Sequence, residues 1–233
     1  MKNNAYEYRD SASYCQGMNY LAGYFMIQTK DDKASYCLVA QLIEKHLMKV
    51  FTDNFAHLHS YFYIMDKLIS LHTPDLWDHL KEERIPPVFY ASSWFITLFT
   101  NTMQFTSNSH LVNWIMDYTV SEGIKGLLKC IIVMLKYLRF KFVKMSFEQI
   151  MNFLSDLTKK ELFTNVFYEQ YLKEKYNGEE EEALRKRYLL YYEDFKFLNL
   201  YRERVNSLNV SSDLIVFLAK KYSDVKQKAD SKL

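Results

Sequence analysis

The residues with the greatest chemical potential in this chain stand near its start, in the run Ser13-Tyr14-Cys15-Gln16-Gly17-Met18-Asn19. A glutamine amide offers an acceptor oxygen and two donor hydrogens, so Gln16 can hold a water and touch an anion at the same time. Gly17 directly precedes an apolar stripe with helical spacing (Met18, Leu21, Ala22, Phe25). Glycine there costs helix stability but permits close approach of another backbone. Gln16 thereby falls at a helix N-terminus, where unpaired N–H groups favour anionic ligands. On residue chemistry alone the segment reads as a helix start with a capping turn; a partner contact is the sharper alternative.

Other candidate groups offer less. Cys15 as a nucleophile needs a histidine base beside it, which its sequence neighbours do not supply, and a buried structural thiol is the plainer reading. His57 and His59 are two residues apart, which on a helix points them to different faces, and the six histidines show no metal-ligand spacing. A Gly-rich phosphate loop is absent, so the chain is not expected to hold a nucleotide, and no cofactor or metal of its own is expected. The run Glu179 to Glu182 precedes Arg185-Lys186-Arg187, and the pairs Glu181–Arg185 and Glu182–Lys186 have favourable four-residue helix spacing. With acidic residues facing the positive end of the helix dipole, that run reads as a solvated helix start.

The elements that position these residues are helical. The 233 residues include only 5 Gly and 3 Pro, against about 16 and 12 at average usage. So few chain breakers argue for long helices. A net charge of +2 points to no nucleic-acid partner. Three widely spaced cysteines (Cys15, Cys37, Cys130) fit a reducing compartment rather than a disulfide framework. The apolar run Cys130 to Leu135 is too short to cross a bilayer, and the start carries no apolar signal region, so a cytoplasmic location is expected.

Apolar residues recur at helical spacing almost throughout, without the alternation of strands. One stripe is Tyr36, Ala40, Ile43, Leu47 and Val50; another is Leu58, Tyr61, Phe62, Met65, Leu68 and Ile69, ended by Thr73-Pro74. After Pro86-Pro87 comes an aromatic helix from Phe89 to Phe99, then Leu111 to Tyr118 stopping at Gly123, then Ile124 to Leu135. Ser146 and Gln149 read as a capping box opening the stripe Phe147, Ile150, Met151 and Leu154. Asn177-Gly178 marks a boundary, followed by a long helix from Leu184 to Val205 and a last one from Ser212 to Tyr222. The polar end, 223–233, is expected to be a flexible tail.

The segment Tyr14-Cys15-Gln16-Gly17-Met18-Asn19 resembles the glutamine-finger motif of TBC-domain Rab GTPase-activating proteins. The likeness continues in order: Tyr36-Cys37-Leu38-Val39 resembles the family's next helix, and Pro87-Val88-Phe89-Tyr90-Ala91 with Trp94-Phe95-Ile96-Thr97-Leu98-Phe99 resembles its central aromatic helix. Asp117 and Glu122-Gly123 match positions where the family carries an Asp and a Glu-Gly pair. The resemblance implies an all-α fold without a sheet. It also implies a Rab-type small GTPase, bearing GTP and magnesium, as partner, and Gln16 as a glutamine supplied in trans to orient the attacking water. Tyr14, Cys15, Gly17, Met18 and Asn19 become partner-binding residues, with Gly17 giving clearance against the partner's backbone. Recruitment to membranes is then through partners, without direct insertion.

The likeness covers about residues 5 to 160 and implies three parts: 1–160 as a TBC-like domain lacking its N-terminal portion, 161–222 as C-terminal helices packed on it, and the tail. The family's Ile-x-x-Asp-x-x-Arg pattern, which carries its arginine finger, does not occur in the chain, and Arg9 reads as a turn residue. Ser93 stands where an Arg is usual and Met116 where a Trp is usual. A fragment of a longer domain, a short paralogue that binds without activating, and a scaffold of the same fold all fit this pattern. Loss of the upstream cover implies exposed apolar side chains among Tyr6, Tyr8, Tyr20, Tyr24 and Phe25.

Overall fold

In this computed structural model, residues 14–52, 55–101, 109–156 and 193–231 are described. Every regular element among them is helical, and no strand occurs. The all-α expectation therefore holds.

The chain opens with α1 (Met18–Thr29) and α2 (Asp32–Leu42), the latter capped by Asp31, whose carboxylate accepts from the Ala34 N–H at 2.7 Å. A single π-helical turn, Ile43–Leu47, links α2 to the short α3 (Met48–Phe51). Next come α4 (Ala56–His72) and α5 (Pro74–Glu82), with Pro74 at the first turn, where its missing N–H is not needed. A 3₁₀ turn, Pro87–Phe89, leads into α6 (Ser92–Thr97). The longest element, α7 (Ser109–Phe142), is interrupted at Gly123, whose φ of 65° and ψ of −153° are not helical. Then α8 (Phe147–Asp156), α9 (Glu193–Ser207) and α10 (Ser212–Asp230) complete the described structure.

The core centres on the second half of α7. Leu127, Leu128, Cys130, Ile131, Ile132, Val133, Met134, Leu135, Tyr137 and Leu138 are all buried. A helix apolar on every side must be surrounded, and α4 and α9 pack against it. α9 is tied on by the Tyr201 hydroxyl, which donates to the Cys130 carbonyl at 2.7 Å, and by the Trp114–Tyr201 edge contact at 5.7 Å. The short apolar run that cannot span a bilayer is thus the central helix. No described helix is long and apolar enough to cross a membrane.

The junction of α7 and α8 is pinned to α5. Arg139 pairs with Asp75 at 2.7 Å, and the His79 Nε2–H donates to the Met145 carbonyl at 2.7 Å. The expected capping box is half made, with the Gln149 side chain accepting from the Ser146 N–H at 3.0 Å. The next orphan donor, the Phe147 N–H, is taken by Glu83 of the α5 end at 2.6 Å, a partner distant in sequence.

Several expectations need correction. Tyr36 and Ala40 are exposed, Tyr36 to 75%, and the inward residues of α2 are Ser35 and Leu42. The aromatic helix from Phe89 to Phe99 is instead a 3₁₀ turn followed by the six-residue α6, which ends at Thr97 because Leu98 and Phe99 both take positive φ (48° and 66°). Phe89 is 54% exposed. The last helix does not stop at Tyr222 but runs on to Asp230, capped by Ser211. The boundary at Asn177-Gly178 and the charge run Glu179 to Arg187 lie outside the described residues, as does the first part of the long helix from Leu184.

The Glu83 cap supplies a test of the α5–α8 link. Glu83→Ala is expected to lower unfolding free energy by about 1 kcal/mol, measured by urea denaturation. Glu82→Ala, which removes the same charge from an exposed neighbour without an ion pair, is expected to change it by only a few tenths.

Candidate functional site

The Gln16-Gly17 dipeptide forms a tight turn rather than a side-chain cap. The Met18 N–H donates to the Cys15 carbonyl at 3.1 Å, which makes Gln16 and Gly17 the two central residues of a β-turn. Gly17 has φ 113° and ψ −24°, the positive-φ third position that type II turns reserve for glycine. The same turn feeds straight into α1, since the Tyr20 N–H donates to the Gly17 carbonyl at 3.0 Å. Gln16 is left at the corner, exposed, and its amide makes no hydrogen bond to any described residue.

Gly17 has a second reason to be glycine. A Cβ built on it would lie 2.8 Å from Ile96 Cγ2 and 3.2 Å from Thr97 Cγ2, both on α6. It is buried, and the clearance it provides is against its own chain. α6 is itself held firmly: Trp94 stacks on Phe99 at 5.4 Å, and the Thr97 hydroxyl donates to the Ser93 carbonyl at 2.7 Å. Leu98 and Phe99 are buried bulky residues in the left-handed region, a costly conformation that the surrounding packing must sustain. The bed of the turn is therefore rigid.

On the far side α1 is fixed to the start of α7. The Tyr24 hydroxyl donates to Asn113 Oδ1 at 2.8 Å, and the Gln28 amide donates to the same oxygen at 3.2 Å. Asp117, one turn on, is exposed close by. Burial and the Asp117 charge push the Tyr24 phenol up to about 12. Glu122 pairs with Lys125, and that ion pair holds its carboxyl below the usual range. Gly123 breaks the helix there.

The site residues read from the sequence separate into two groups. Tyr14 (74% exposed), Gln16 and Asn19 face solvent; Cys15 and Met18 are half-buried, and Gly17 is enclosed. The Cys15 thiol is raised by burial and donates to the Gln16 carbonyl at 3.4 Å, so it is a poor nucleophile and braces the turn. Of the aromatics expected to be uncovered, Tyr20 is exposed, Phe25 is half-buried, and Tyr24 is buried through its bond to Asn113. Tyr6 and Tyr8 lie outside the described residues. Ser93 serves as the acceptor for Thr97, and Met116 is buried in the core while Trp114 stacks on Tyr118 at 4.9 Å. Sequence reasoning missed Ile96, Thr97 and Asn113 as the residues that seat the turn and its helix. The only signal for the first two was the glycine itself. Among the described residues no three His, Cys, Asp or Glu side chains gather to hold a metal.

The chain belongs to the Rab-GTPase-TBC domain family, whose model matches residues 4–143. Similar curated proteins include the Ecotropic viral integration site 5 ortholog of Drosophila melanogaster, 30% identical over 56% of this chain and 16% of that protein. The Rab GTPase-activating protein tbc-11 of Caenorhabditis elegans is 29% identical over 60% of this chain and 15% of its own length. The Growth hormone-regulated TBC protein 1 of Xenopus laevis is 26% identical over 70% of this chain and 46% of its own length. The chain thus spans less than half the length of each.

Two glycines on either side of the α1 start give contrasting expectations. Gly17→Ala is expected to destabilise by more than about 1 kcal/mol, from positive φ and collision with Ile96. Gly23→Ala, in the middle of α1 with open space around it, is expected to stabilise by about 0.5–1 kcal/mol. Thermal melting of the two variants beside the parent checks both signs. In the parent, alkylation is expected to proceed in the order exposed Cys37, half-buried Cys15, buried Cys130, the last only on unfolding, as followed by mass spectrometry.

Proposed function

We propose that this chain acts on a Rab-type small GTPase and presents Gln16 to the partner's nucleotide site as a glutamine finger. The observation that carries the reading is the pairing of an exposed, unpartnered Gln16 amide with a rigid seat. A side chain that orients a water must be held in place while its polar end stays free, and a tight turn locked on α6 does both. The amide accepts from the attacking water and donates to a phosphate oxygen, so water and charge are steadied together. GTP and magnesium belong to the partner. Tyr14, Met18 and Asn19 flank the glutamine and make the surrounding contacts.

The name of the Caenorhabditis elegans relative, Rab GTPase-activating protein tbc-11, supports the partner class. An arginine finger is worth about 10³–10⁵ in rate in activators of this kind, and the chain contains no Ile-x-x-Asp-x-x-Arg pattern to supply one. Turnover stimulated by this chain alone is therefore expected to be small. A second reading, a TBC fold that binds its GTPase without catalysis, follows from the same missing pattern.

Two measurements separate these readings. Phosphate release across a panel of Rab proteins is expected to rise weakly; strong stimulation would show that no arginine is needed. Complex formation with the GTPase bearing GDP and aluminium fluoride, a mimic of the transferring phosphoryl group, is expected to fall at least about tenfold in Gln16→Ala. The melting temperature of the variant should stay unchanged, because the side chain is exposed. Equal complex formation by parent and variant would defeat the glutamine-finger reading and favour the non-catalytic one.

A further inference from the structure

A cleft of about 680 Å³ lies between α4 and α10, with α3 at one end, and shares no lining residue with the Gln16 turn. Its floor is mostly apolar, formed by Tyr61 and Ile64 of α4 and by Ile215 and Ala219 of α10, with the buried Ser60 of α4 beside them. Ile64 is fully buried. Tyr222 also lines the cleft, and its contact with the Tyr63 ring at 5.6 Å holds α10 on α4. The rim is cationic: Lys49, Lys220 and Lys226 stand around the opening, opposed by the single carboxylate of Asp230. His57 is also in the lining.

Among the described residues some lysines of the fold are already engaged, while others, such as Lys30, Lys33, Lys45 and Lys144, are not. Lys67 and Lys81 are paired with Asp66, Lys125 with Glu122, and Lys221 lies over the Phe217 ring. None of Lys49, Lys220 and Lys226 has an ion-pair partner among the described residues. Three unpaired ammonium groups around an apolar floor call for a ligand with a negative head and an apolar body. The volume suits one small molecule, within the range of about 300–1,000 Å³ for such sites.

We propose that this cleft binds a free anionic amphiphile, an acyl chain or similar apolar body with a carboxylate or phosphate head. The chain lies along Ile64, Ile215 and Ala219, and the head sits among Lys49, Lys220 and Lys226. A monomeric ligand is favoured over a bilayer surface because α10 carries four lysines against three aspartates, a net charge of +1. Each cation contributes only about 1 kcal/mol at an anionic membrane. The site is independent of the glutamine-finger reading.

The test is a titration of the full chain with a fluorescent polyunsaturated fatty acid, followed by competition. Saturable binding at one site is expected, with displacement by laurate but not by octyl glucoside or inorganic phosphate at matched concentration. Ala219→Trp, which fills the floor, is expected to abolish binding, and Lys220→Glu with Lys226→Glu to weaken it about tenfold. Circular dichroism and melting confirm the fold of each variant. Equal displacement by the neutral amphiphile, or unchanged binding in folded Ala219→Trp, would overturn the proposal. If that variant does not fold, the paired charge reversal at exposed positions decides, and unchanged affinity there overturns it equally. Binding only to anionic phospholipid vesicles, and no monomeric binding, would show a surface effect and also sink the cleft.

Discussion

The structure depends on a stretch of helix that cannot face water. From Leu127 to Leu138 only Lys136 is exposed, and Lys129, though 8% exposed, reaches out to the Asn206 carbonyl and the Tyr118 hydroxyl at 3.5 and 3.4 Å. Burial lowers the ordinary proton affinity of Lys129, yet the two oxygens and the end of α9 give its ammonium somewhere to point. A helix with apolar residues all round can be stable in water only when other helices surround it. α4 and α9 do this directly, and α10 is brought to the assembly by α4. The remaining helices are then placed by what is left to cover.

The break at Gly123 follows from that arrangement. Before it, α7 faces α1 through Asn113 and carries Asp117 outward; beyond it, the same helix becomes the pillar of the core. Gly126 repeats the theme one turn later, since a Cβ there would meet the Tyr118 carbonyl at 2.9 Å. Two glycines in four residues thus let the chain change direction at close quarters. The Glu122–Lys125 pair closes the outside of the bend.

The Gln16-Gly17 turn inherits its rigidity from the core. Gly17 rests on Ile96 and Thr97, α6 rests on the Trp94–Phe99 stack, and Phe95 of α6 contacts Tyr61 and Phe62 of α4. A chain of packed contacts, aliphatic at Ile96 and Thr97 and aromatic from Phe95 inward, therefore runs from the Gln16 turn to the interior. α1 and α2, by contrast, leave Met26, Ile27, Tyr36 and Leu38 exposed. Those two helices owe their place to few long-range bonds, chiefly those to Asn113. The glutamine is thus anchored through the turn more than through its helix.

Much was decided by the chain locally. The scarcity of Gly and Pro, the helical spacing of apolar residues and the breaks at Thr73-Pro74, Pro86-Pro87 and Gly123 were enough for an all-helical fold, because helix formation rests on near neighbours. The Gln16-Gly17 motif was equally legible, as turn chemistry and as family likeness. What the sequence could not show is which apolar face meets which. Tyr36 and Ala40 keep the same helical spacing as Ile43 and Leu47, yet only the latter reach the core, since a stripe records periodicity and not the partner that covers it. The left-handed residues Leu98 and Phe99 ended a helix that their own propensities would have continued, and only tertiary packing holds that strain. The Glu83 cap of α8 joins residues 64 apart in sequence, and the seat of Gly17 joins positions even further apart. Such contacts are created when helices meet, and no local pattern encodes them.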